Sequence, residues 1–219
     1  MTTGTLVPHP EDAQKRRLVE NASAALGLEP RLLRLLSAVH EAGHAIVAHT
    51  VGLTVTSATV TSYELIGLGG DHIALDYRAF GDRIPLPNLL AMRVGGFQAS
   101  FLWLQGRGID GTAEPYQEVL NCLAGGDLNW CAHACQNLLP HAHAQDTIEI
   151  AGRILLHRWR STLRLAYDLA DVGSMDETAL RTHLDADPVQ GLKAMRCYRT
   201  WRDETAAHWT APVEQGEAR

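Results

Sequence analysis

Between residues 30 and 52 the chain is apolar on most sides of the helix that its spacing predicts, yet His40, Glu41 and His44 lie in the middle of it. Pro30 suits a first-turn position, Leu32, Leu33, Leu36, Val39, Ile46 and Val47 carry the apolar pattern, and Gly52 supplies the stop. A helix of that kind is buried by its neighbours. It takes two imidazoles and a carboxylate with it, and buried polar groups of that sort need partners or an ion. Gly43 is a second oddity, since glycine inside a helix costs about 1 kcal/mol relative to alanine.

The rest of the chain supplies the covering layers. Residues 11–26 read as a helix closed by Gly27. Residues 54–61 are β-branched, Gly67, Gly69 and Gly70 mark a turn, and residues 72–77 read as a second strand, giving a small hairpin. Helices follow over 86–104, 115–123, 127–139, 144–170 and 176–183. The expected fold is mainly α, with a small β-hairpin or edge-strand element near the motif helix. The 219 residues are enough for one full core, assigned to 11–186. Residues 1–10 are expected to be flexible, and 187–219 a C-terminal extension that is partly disordered, most clearly from 204 onward, where no periodicity is visible.

His40, Glu41 and His44 form H-E-x-x-H, which puts two imidazoles on one helix face within reach of a single ion. Zinc accepts neutral imidazole nitrogens at about 2.0 to 2.1 Å and tolerates an open fourth position. Glu41 lies beside that face as a general base for a zinc-activated water, the chemistry of peptide hydrolysis. With 11 histidines in the chain, chance would produce this pattern roughly 0.03 times. Gly43 is read as an accommodation to the metal.

A catalytic zinc takes three protein ligands. The candidates for the third are Asp110, Glu114, Glu118, Asp127, His133, His141 and His143. Asp127 opens the expected helix whose apolar face includes Cys131, Ala134, Cys135 and Leu138. The same position, after Gly125-Gly126, also suits an N-cap, and spacing does not choose between the two.

Charge and composition exclude other classes. A net charge of -6 without a basic stripe argues against nucleic acid. The apolar stretch 89–104 is broken by Arg93, Gly95, Gly96 and Gln98, so no membrane span is expected. No secretory signal is visible, and four cysteines fit reduced core residues better than a disulfide scaffold, so a cytoplasmic protein is expected. Cys131-x-His133-x-Cys135 reads as core packing, because the histidine leaves the face that the cysteines share.

Ala38-Val39-His40-Glu41-Ala42-Gly43-His44-Ala45 resembles the peptidase domain of the FtsH family of zinc proteases, where A-x-H-E-A-G-H-A is typical. The resemblance continues through Ser57-Ala58-Thr59-Val60-Thr61, through Val94-Gly95-Gly96-Phe97-Gln98-Ala99 against L-G-G-R-A-A, and through Gly126-Asp127-Leu128 against G-x-x-N-D-[IL]. It closes with 148–170 and Met175-Asp176-Glu177-Thr178-Ala179-Leu180, covering about two thirds of the chain. The arginine and both acidic residues of the family's G-G-R-A-A-E-E run are missing, and Gly126 replaces an asparagine.

The resemblance implies a zincin-like helical domain, zinc held by His40, His44 and Asp127, and Glu41 as base. No G-x-x-x-x-G-K-[ST] loop is present, so the implied activity is an ATP-independent metalloendopeptidase acting on flexible or unfolded protein segments. A separate adaptor or unfoldase would then be a partner, and the family's hexameric rings raise a homo-oligomer as another. Two alternatives are a regulatory metalloprotease like ImmA/IrrE, suggested by Leu138-Leu139-Pro140 after an acidic ligand, and a non-catalytic zinc-stabilised binding module.

Overall fold

Pro30 sets the first turn of α1 (Pro30–Thr50), whose N-cap Glu29 is extended and makes no side-chain cap bond. The helix ends where Gly52 turns to φ 89°, letting the Leu53 amide donate to the Ala48 carbonyl at 2.8 Å. In this computed structural model the described residues are 17, 20, 21, 23–60, 72–76, 86–109, 113–137 and 144–209, without the side chains of 122, 137, 144 and 204–209. The expected helix over 11–26 and the glycine turn at 67–70 lie wholly or partly outside them.

The turn at Gly52 feeds β1 (Thr54–Thr59) directly. It pairs antiparallel with β2 (His72–Asp76), with an irregularity between Val55 and Ser57. On its other side it pairs with β3 (Ser174–Asp176), giving the order β2-β1-β3. The hairpin expected from sequence therefore gains a third strand from the far end of the chain. The helices are α2 (Leu86–Gly106), α3 (Glu114–Asn137), α4 (Ala144–Val172), α5 (Glu177–Leu184) and α6 (Pro188–Trp209). The fold is mainly α with a small antiparallel sheet.

The central helix is α1, lying against both α2 and α4, while α3 packs mainly on α2 and α6 on α4. Leu36, Ala38, Val39, Ala42, Ala45, Ile46 and Val47 have no exposed surface. Each large aliphatic among them contributes about 1.5 to 3 kcal/mol relative to exposure. The crossing of α1 and α2 is unusually close. A Cβ on Gly43 would lie 2.5 Å from the Gly95 carbonyl oxygen and 2.5 Å from Ala99 Cβ, and one on Gly95 would lie 2.9 Å from the Gly43 oxygen. Gly43 thus serves the helix crossing, and only through it the polar residues beside it.

Two expectations change. The helices expected over 115–123 and 127–139 are one helix, α3, running through Gly125-Gly126. Two internal glycines cost about 2 kcal/mol of propensity, but the helix buries Tyr116, Val119, Leu120, Ala124, Cys131 and Ala134 on one side, and that burial prevails. Asp127 therefore sits in mid-helix and caps nothing. Within 187–219, residues 188–209 form α6, which buries Ala194, Tyr198 and Trp201. Tyr198 donates its hydroxyl proton to Asn88 Oδ1 at 2.6 Å, and Asn88 Nδ2 donates to the Val51 carbonyl at 2.5 Å, joining α6, α2 and the end of α1. Among the described residues no helix is long and apolar enough to cross a membrane.

Candidate metal centre

His40 and His44, one turn apart on α1, both face α2 and are 4% and 5% exposed. Their outer nitrogens are engaged first. His44 Nδ1 lies 2.8 Å from the Met92 carbonyl, which can only accept, so that nitrogen carries the proton and the Nε2 of the neutral ring is left with a lone pair. His40 Nδ1 lies 3.3 Å from Ser100 Oγ. The two Nε2 atoms then meet at 2.9 Å, with the rings nearly perpendicular. Two lone pairs at that distance repel unless a proton or a cation lies with them.

Asp127, from the middle of α3, completes the convergence. Its Oδ2 is 3.2 Å from His44 Nε2 and 3.7 Å from His40 Nε2. Four-coordinate zinc with ligands at about 2.0 to 2.1 Å has ligand atoms about 3.3 Å apart along a tetrahedral edge, and separations of 2.9, 3.2 and 3.7 Å bracket that value. Among the described residues this is the group of three donors that could hold a metal ion. Glu114, Glu118 and His133 are described and do not join it. Asp110, His141 and His143, like Leu138-Leu139-Pro140, lie outside the described residues.

Gly96 of α2 lies directly against the two imidazoles. A Cβ there would lie 2.7 Å from His40 Nε2 and closer still to His44 Nε2. Its three nearest neighbours are all imidazole atoms, so only glycine leaves room where the donors converge. Together, the donor set, the spacing and this cradle fit a metal ion.

The electrostatics suit a cation. Burial works against ionisation of Asp127, but the bonds to His40 and His44, the charge on His44 and the Arg93 guanidinium outweigh it and hold the carboxyl well below the usual carboxylate range. For His44, burial pulls the pKa down, yet Asp127, the negative charge of Glu41 and the Met92 carbonyl raise it overall. The site thus draws positive charge. Glu41 is 6% exposed, in the same turn of α1 as the two histidines. Burial pushes the Cys131 thiol up to about 12, helped by the charge on Asp127 and by Cys135, so it stays protonated and inert. Cys131 and Cys135 are buried while His133 is exposed, which separates the members of that sequence pattern.

Sequence reasoning missed four contributors: Arg93, Gly96, Ser100 and the Met92 carbonyl. Arg93 and Ser100 stand three before and four after Gly96 on one helical face, but that spacing marks no site until α1 and α3 pack against it.

The fold and site define a mainly helical protein with a small sheet and a His-His-Asp arrangement, its two histidines buried and its aspartate half-buried, that could hold a metal ion. No family model matches the chain, and no curated protein matches it either.

Proposed function

We propose that this chain is an ATP-independent zinc metalloendopeptidase that cleaves flexible or unfolded protein segments. The observation that carries the reading is the convergence of His40, His44 and Asp127 at near-tetrahedral spacing with a buried carboxylate, Glu41, outside the donor set. Two imidazoles and one carboxylate suit zinc, and three protein donors leave a position open. Zinc held there would supply Lewis acidity, lowering the pKa of a water and polarising a substrate carbonyl.

The chain's own residues then have separable tasks. His44 and His40 are oriented by the Met92 carbonyl and Ser100, which fix the nitrogens that face inward. Glu41 takes the proton of the attacking water and returns it to the departing amine nitrogen. Its burial keeps bulk water from competing for that proton. These 219 residues contain no phosphate-binding loop, so they do not themselves drive unfolding, and the substrate proposed for them is a segment that is already flexible or unfolded.

The test is Glu41→Gln, assayed for zinc content and for hydrolysis of a denatured, fluorophore-labelled protein. Hydrolysis should fall at least about 100-fold with zinc retained. Activity left intact in the variant would remove Glu41 from the chemistry. Zinc without hydrolysis in the wild type would favour the zinc-stabilised binding module.

A further inference from the structure

Asp127 offers two carboxylate oxygens, and an unrestrained carboxylate can present either one, or both, to a cation. Here one is already taken. Arg93 Nη1 donates to Oδ1 at 2.8 Å, leaving Oδ2 toward the imidazoles. The arginine is itself held, with its guanidinium carbon 5.3 Å from the centre of the Trp130 ring. Trp130 stands three residues after Asp127 on α3, so one helix supplies both the carboxylate and the platform that aims its partner. Arg93 Nε is buried without a hydrogen-bond acceptor, a desolvation cost that a freely solvated arginine would avoid. Arg93 also follows Met92, whose carbonyl orients His44, so consecutive residues of α2 act on two different donors.

We propose that Arg93 is a positioning residue for the metal, braced on Trp130 so that Asp127 binds through Oδ2 alone. This rests on the reading of His40, His44 and Asp127 as metal ligands. A planar guanidinium suits the role, since it can bond a carboxylate edge-on while stacking on an aromatic face, which an ammonium group cannot reproduce. Without it, Oδ1 is free to join the coordination or to turn toward solvent. A plain brace between α2 and α3 would instead act on stability alone.

The experiment compares the wild type, Arg93→Met and Arg93→Lys. Zinc affinity is measured by competition with a chromophoric chelator, the visible absorption of the cobalt(II)-loaded proteins reports coordination, and the apo forms are melted in parallel. Arg93→Met is expected to weaken zinc binding about 10- to 100-fold and to change the cobalt spectrum. Its apo form should melt close to the wild type, and Arg93→Lys should regain part of the affinity. Wild-type affinity with a wild-type cobalt spectrum in Arg93→Met would overturn the inference, as would a lowered apo melting temperature with metal binding unchanged. Should Arg93→Met fail to fold, Arg93→Lys decides: weakened binding with an altered spectrum supports the role, and wild-type values for both overturn it. Failure of the wild type to take up zinc or cobalt would instead bring down the metal-site reading itself, and the inference with it.

Discussion

At the scale of single residues the centre depends on an absence of atoms as much as on its donor groups. Gly96 faces His40 and His44 so closely that any side chain would occupy the space where their nitrogens converge. In Gly96→Ala the added methyl meets imidazole atoms first, so the strain falls on the site before it falls on the core. The helix itself gains up to about 1 kcal/mol of propensity from the change. Expected is a folded protein with little bound zinc, seen as a wild-type far-ultraviolet circular dichroism spectrum beside a metal content near zero by elemental analysis. A full equivalent of zinc in this variant would show that the donors do not converge beside Gly96. His40, Glu41 and His44 stand out in sequence because a charge and two imidazoles inside an apolar helix are costly unless used. Arg93 and Ser100 do not, since each is ordinary in its own helix and gains its meaning only from what α1 and α3 bring against it.

At the scale of elements the same residue type plays opposite parts. Gly43 and Gly95 let α1 and α2 approach until backbone meets backbone, whereas a Cβ at Gly125, in the middle of α3, would meet nothing within 4 Å. Alanine at either position brings about 1 kcal/mol of helix propensity. At Gly43 this is opposed by contacts of 2.5 Å with the Gly95 oxygen and Ala99 Cβ. Overpacking typically costs about 1 to 3 kcal/mol, occasionally more, and a backbone atom yields less easily than a side-chain end. Gly43→Ala should therefore lower the melting temperature and Gly125→Ala raise it by about 2 to 4 °C, as read by thermal denaturation of the apo proteins. A stabilised Gly43→Ala would refute the close crossing. This contrast also explains which elements were legible. The apolar run of α1 and the β-branched run of β1 declare themselves locally, whereas Gly125-Gly126 signals a break that α3 overrides by burying Tyr116, Leu120, Cys131 and Ala134. The helix α6 was missed because its anchoring is tertiary, through Ala194, Tyr198 and Trp201 and the bond from Tyr198 to Asn88.

For the whole molecule, the consequence of the site is a tie between helices that otherwise meet through an intermediary. The core stacks α1 on α2 and α4, but α3 packs mainly on α2 and only lightly on α4. A metal shared by His40 and His44 of α1 and Asp127 of α3 would therefore fasten the more weakly held helix to the most buried one. Binding to the folded state alone stabilises it by about 4.1 kcal/mol when free metal exceeds Kd 1,000-fold. At about 2 to 4 °C per kcal/mol for a chain of this size, chelation should then lower the melting temperature by about 8 to 16 °C. Its local signature is more telling than its size. Hydrogen exchange followed peptide by peptide should speed up over α3 when zinc is stripped, while the centre of α1 and the face of α4 against it keep their protection, because their apolar contacts persist without metal. Exchange that rises evenly across all helices would mean that the metal supports the core as a whole. Exchange that does not change would mean that α2 alone holds α3 in place and that the centre is preformed, its donors waiting at their spacing for the ion.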